Sequence, residues 1–220
     1  MRTFDEIHAI AADRKGGAAA LESLLTKPKP AADDAQVPED RWLAGISRAV
    51  FQTGISWKVV DNKWVGIEAA FKGFDVGACA MMDDDWFDAL LRDTRIIRHG
   101  AKVQAVRDNA AFLLSLRDRG GAGRVFADWP ATDYAGLLAL LKTEGSRLGA
   151  STGQYAMRLQ GRDGYMMSTD VVARLIAEGV IDKSPSSKRA MTAVQGAFNT
   201  WMDQSGRSLT EISRVLALSV

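Results

Sequence analysis

Cysteine is almost absent from these 220 residues, and Cys79 stands alone. One thiol cannot close an intramolecular disulfide, and it cannot build a multi-cysteine zinc site. Histidine is nearly as scarce, with only His8 and His99. Long apolar runs are missing as well. A membrane-spanning helix needs about 20 consecutive apolar residues, and no stretch comes near that. The start, MRTFDEIHAIAADRKGG, carries acidic residues where a secretory leader would be apolar. Neither sign of charge is in excess: 28 Lys and Arg face 27 Asp and Glu, for a net charge of +1. A chain-wide basic field is therefore excluded, and any surface for a polyanion must be a local patch. These absences predict a cytoplasmic protein with no membrane partner, no bound cofactor or metal, and no obligate protein partner.

What remains is an ordinary globular composition, 47% hydrophobic and 25% charged. Its apolar period is helical nearly throughout. Phe4, Ile7, Ile10 and Ala11 mark a first helix that stops near Gly16-Gly17. A polar link from Lys27 to Pro38 follows. Trp42, Leu43, Ile46, Ala49 and Val50 share one helical face, and Pro38 suits the start of that helix. Further helical stripes run through Trp86–Leu91, Val103–Leu114, Tyr134–Lys142 and Ala190–Trp201. Ser208 and Glu211 have the spacing of a capping box for a last helix. No alternating strand appears, so the expected fold is all-α.

Within this pattern FQTGISWKVV, residues 51–60, is out of place. Gly54 in a helix interior would cost about 1 kcal/mol relative to Ala. The spacing predicts that one helix stops near Gly54 and that Ser56 caps the next. Gln52 and Trp57 then sit on either side of a turn. By spacing alone Trp57 reads equally as core, because Val60 and Trp64 follow it at helical intervals.

A second unusual stretch is LLKTEGSRLGASTGQYAMRLQG, residues 140–161. It reads as a helix ending at Glu144-Gly145, a tight turn at Leu148-Gly149, and a helix starting near Ser151-Thr152. A hairpin of this kind gathers backbone N–H groups at a helix N-terminus, where they can hold a phosphate without contacting a base. On spacing alone it reads first as an ordinary short helix–helix connection, a very common form.

Taken in order, these segments resemble the helix-hairpin-helix superfamily of DNA glycosylases, and within it the 3-methyladenine DNA glycosylase I family. The resemblance lies in Gln52-x-Gly54-x-Ser56-Trp57, in FKGFDVGACAMMDDDWFDALLRDTRIIRHGAKVQAVRDNA with its Ile96-Ile97-Arg98 and Lys102, and in LGASTGQYAMRLQG. It runs from about Trp42 to about Leu175. It implies two helical lobes carrying a helix-hairpin-helix motif. Residues 1–220 form a single glycosylase-like unit, with one lobe over about 80–165 holding the hairpin and a second over about 1–75 plus 166–220.

The resemblance also implies a function. The partner is double-stranded DNA carrying an alkylated base. The reaction is hydrolysis of the N-glycosidic bond of a 3-methyladenine-like purine after the base is flipped, in base-excision repair. Trp57 matches the family's pocket Trp and would stack on the base, with Gln52 reading its edge. Arg147, Leu148, Gly149, Ala150, Ser151 and Thr152, with Arg98 and Lys102, would hold the DNA backbone. The catalytic Asp of the wider superfamily falls on Thr169, where the 3-methyladenine family has Asn. Asp170 either caps its helix through Val171 and Val172 or places a carboxylate near the sugar. The helix after the hairpin has no Lys for a Schiff base, so the enzyme would be monofunctional.

Three departures bear on this. Ala49 stands where the family has a Glu that reads the base. The family's N-terminal Tyr residues have no match, and its zinc ligands are missing, with Val171 where a His would stand. Two function classes stay open: an alkylpurine glycosylase, and a DNA-binding protein of glycosylase fold without excision activity.

Overall fold

A computed structural model describes residues 1–220, and all its regular structure is helical. The chain divides into two compact units. One comprises residues 1–29, 130–136 and 163–220, and the other residues 30–129 and 137–162. This is not the division expected from the sequence. Residues 30–75 join the unit of the hairpin, because helix Glu39–Gln52 packs on both helix Gly100–Ser115 and helix Ala150–Gln160, and residues 130–136 fall in the other unit. No helix is long and apolar enough to cross a membrane.

The first unit is built on local signals that work as the sequence suggests. Thr3 and Glu6 form a capping box for helix Phe4–Lys15, and Ser208 and Glu211 form one for helix Leu209–Leu218. Ser187 caps the long helix Lys188–Ser205. Its stripe of Val194, Ala197, Phe198 and Trp201 is buried. Tyr165 stacks on Phe198 at 4.5 Å and meets Tyr134 edge-on at 4.9 Å. Arg2 donates to the Glu178 carboxylate at 2.9 Å, tying the N-terminus to the end of helix Thr169–Ala177.

The second unit centres on helix Glu39–Gln52, in which Trp42, Leu43, Ile46, Ala49, Val50 and Phe51 are all buried. Glu39 and Asp40 lie in its first turn, where the helix dipole favours negative charge. The polar link from Lys27 to Pro38 contains a short helix, Ala31–Ala35. Its Asp34 is fully buried and lies 3.9 Å from the buried Arg162 guanidinium. Arg162 also donates to the Phe126 carbonyl at 2.7 Å. One ion pair thus ties the link to the end of the hairpin helix, which no local pattern announces.

Candidate functional site

The chain turns at residues 53–56, between helices Glu39–Gln52 and Trp57–Ala70. Gly54 has φ +71°, a backbone region that other residues enter at a cost. Ser56 stands at the expected N-cap position, but its side chain makes no capping bond. The turn is held from elsewhere. Lys102, expected to face DNA, is only 4% exposed. Its ammonium donates to the carbonyls of Val50 at 2.6 Å, Phe51 at 3.1 Å and Thr53 at 2.6 Å. These are carbonyls at a helix end, which attract a cation, and the Val50 carbonyl also accepts the Thr53 amide at 3.3 Å. Lys102 is therefore a brace for the turn and not a contact for phosphate. Burial first, and then the nearby Arg147 charge, hold its pKa below the ordinary lysine value.

The hairpin helix supplies a second brace. Thr152 is buried, and its hydroxyl lies 3.2 Å from the Thr53 hydroxyl. Thr53 Oγ1 also donates to the Ala49 carbonyl at 3.0 Å. Trp57 and Tyr155 meet edge to face, with centroids 5.2 Å apart and planes at 87°. Sequence reading missed Tyr155, because its partner is distant in the chain and nothing in the hairpin pattern points to it.

Trp57 is 48% exposed, so its ring is not core. Gln52 is the opposite case. It is 6% exposed, and its amide oxygen is buried without a hydrogen-bond partner. Such groups are rare in folded proteins and mark places where another polar partner is missing. Ala49, at the family's Glu position, is buried and has no polar side-chain atom to offer.

The hairpin turn is formed as expected. Helix Tyr134–Glu144 leads into it and helix Ala150–Gln160 leaves it, with Gly149 at the N-cap. The tight fit falls on Gly153, where a Cβ would lie 2.6 Å from the Leu148 carbonyl oxygen. Gly149 itself has φ −74°, open to any residue. Arg147 and Ala150 take positive φ of 59° and 49°. The Leu148 side chain is buried, so only its backbone is on offer. The Thr152 amide donates to the Gly149 carbonyl at 3.1 Å and is already satisfied. The available donors are the amides of Gly149, Ala150 and Ser151. Arg147 and Arg98 are exposed. Lys142, also exposed, lies against Gly149, where a Cβ would meet its Cγ at 3.7 Å. This cation at the turn was not anticipated from the sequence.

Thr169 and Asp170 lie exposed in the first turn of helix Thr169–Ala177, in the other unit. The cap of that helix is Ser168, which accepts from the Val171 amide at 3.3 Å. Asp170 is not the cap.

Residues 36–132 match the model of the methyladenine glycosylase family. DNA-3-methyladenine glycosylase 1 of Escherichia coli (strain K12) is 36% identical over 69 residues, which are 31% of this chain and 37% of that protein. A crystal structure of 3-methyladenine DNA glycosylase I (TAG) aligns with a TM-score of 0.50 at 24% identity, covering 61% of this chain and 81% of that one. The 3-methyladenine DNA glycosylase I of Staphylococcus aureus, solved for its recognition of 3-methyladenine, aligns at 0.50 with 19% identity, covering 56% and 76%. The structural matches place the fold with these glycosylases. The sequence matches support the family resemblance over the segment that holds Gln52, Trp57 and Arg98.

Proposed function

We propose, for a chain related to the methyladenine glycosylases over residues 36–132, that it is a monofunctional DNA glycosylase acting on an alkylated purine in duplex DNA. The observation that carries this reading is the half-exposed Trp57 ring, braced by the helix that leaves the hairpin turn.

The chemistry asks little of the protein. An N3-alkylated adenine is already cationic, so its glycosidic bond breaks with the electron pair leaving on the base, which becomes neutral. Water attacks the anomeric carbon and loses its proton to solvent. What the protein supplies is extraction of the base and a surface that favours its charge. An aromatic face attracts a cation by roughly 0.5–2 kcal/mol. Gln52, whose amide oxygen is buried without a partner beside the Gly54 turn, is the group proposed to read the base edge once the base enters. The amides of Gly149, Ala150 and Ser151, with Arg147, Lys142 and Arg98, hold the backbone and carry no sequence information. Asp170 is not the cap of its helix, and Asp170→Asn tests through its effect on excision whether its carboxylate has a role toward the positively charged sugar. Helix Ala150–Gln160, which follows the hairpin, holds no Lys, which supports hydrolysis without strand cleavage. The proposed setting is the cytoplasm.

A second reading is favoured by Ala49. With an alanine at the base-reading position, the chain would bind DNA through the same turn without excising a base. The deciding experiment incubates purified protein with duplex DNA carrying 3-methyladenine and measures free base. Release above spontaneous depurination, with no strand break, supports the glycosylase. Tight duplex binding with no release supports the second reading.

A further inference from the structure

We propose that Tyr155 is a positioning residue for Trp57: its ring, standing perpendicular to the indole, sets the plane on which a base would stack. The inference rests on the pocket reading above.

Trp57 opens its helix, so no preceding helical turn packs against it to fix its rotamer. Half of its surface is open, and its ring partner is Tyr155. Edge-to-face aromatic pairs attract beyond what burial alone gives. With planes at 87°, Tyr155 covers at most one face of the indole and leaves the other free. Tyr155 is itself firmly placed. It follows Thr152 by one helical turn, so the two share a face of helix Ala150–Gln160. The opposing residues, Thr53 and Trp57, border the turn. The Thr53–Thr152 contact at 3.2 Å and the Trp57–Tyr155 contact at 5.2 Å are thus two rungs joining the same two segments. A phosphate held at Gly149–Ser151 and a base stacked on Trp57 are referred to one rigid helix.

The test compares Tyr155→Phe, Tyr155→Leu and Tyr155→Ala with the unaltered protein. The Trp57 indole N–H resonance is assigned by its loss in Trp57→Phe, and its nitrogen relaxation is measured in each folded variant. Affinity for free 3-methyladenine is measured by calorimetry. Tyr155→Phe is expected to rescue both readouts, since the ring is kept. Tyr155→Leu and Tyr155→Ala are expected to loosen the indole and weaken base binding by about tenfold, the upper range of one aromatic pair. In a Trp57→Ala background, Tyr155→Ala should cause no further loss of base affinity. An unchanged indole in both non-aromatic variants would overturn the proposal. So would a full additive loss in the double variant, which would give Tyr155 a base contact of its own. If the unaltered protein binds no 3-methyladenine, the proposed function fails, and the indole relaxation still decides the role of Tyr155.

Discussion

The Lys102 ammonium and the Thr53 carbonyl lie 2.6 Å apart, within a set of three such bonds that closes helix Glu39–Gln52. Substituting Lys102→Met keeps the aliphatic stem and removes all three donors. The Val50 carbonyl keeps the Thr53 amide and the exposed Thr53 can turn to water, so the Phe51 carbonyl is the acceptor left unpaired, at roughly 1–3 kcal/mol. Loss of the buried charge offsets part of this. The expected net loss is about 1–3 kcal/mol, read by urea unfolding. Folded Lys102→Met should keep the salt dependence of DNA binding, because Lys102 touches no phosphate. A shallower salt slope at unchanged stability would return Lys102 to the DNA interface.

Gly149→Asp makes the opposite demand. At φ −74° and an N-cap position, aspartate is among the preferred residues, so the fold should be kept or slightly stabilised. The new carboxylate would occupy the amide of Ser151, at N2 of the helix, and repel phosphate. Affinity for any duplex at low salt should drop by roughly tenfold or more, with the salt slope reduced by about one contact. Unchanged affinity would remove the hairpin from the interface.

These two residues show which part of the site was legible in the sequence. Spacing and glycine placement are local, so the turn at Gly54 and the hairpin at Gly149 could be read directly. So could the capping boxes at Thr3 and Ser208 and the long stripes of helices Glu39–Gln52 and Lys188–Ser205. Lys102 could not, because a lysine beside an exposed arginine looks solvated until a distant helix end meets it. Tyr155 and Lys142 were missed for the same reason: their partners are set by packing. The Asp34–Arg162 pair and the division into units also depend on contacts between distant segments. The family resemblance located Trp57, but its exposure was needed to separate pocket from core.

Purified protein is expected to contain no stoichiometric zinc, on the chemistry of its few donors. His8 is engaged with Glu22 at 2.9 Å. Burial, with a smaller push from Asp75, raises the Cys79 thiol to about 12, far from the thiolate that zinc needs. Thermal melts should be the same with and without chelator, unlike a domain whose metal supplies folding energy. One zinc per chain by elemental analysis would contradict this and reopen His8, Cys79 and His99 as ligands.

The sharpest test of the pocket pairs Trp57→Ala with Gln52→Ala. A core tryptophan replaced by alanine loses about 3–5 kcal/mol of stability. Trp57 is 48% exposed, so its loss should remain well below that range. Gln52 buries an acceptor that has no partner, and removing it deletes an unfavourable burial together with some packing. Its variant should melt close to the unaltered protein. Function should respond in the other order. Base–aromatic stacking is worth about 1–3 kcal/mol, or roughly tenfold to a hundredfold in excision if it is present in the transition state. Trp57→Ala should lose that much excision while binding undamaged duplex almost normally, since phosphate contacts dominate affinity. Gln52→Ala should lose less, in the same direction. Melts and excision measured on the same preparations keep the cases apart. An early-melting Trp57→Ala with normal excision per folded molecule would make the ring packing, and two stable variants with unaltered excision would leave the turn without a role in base recognition.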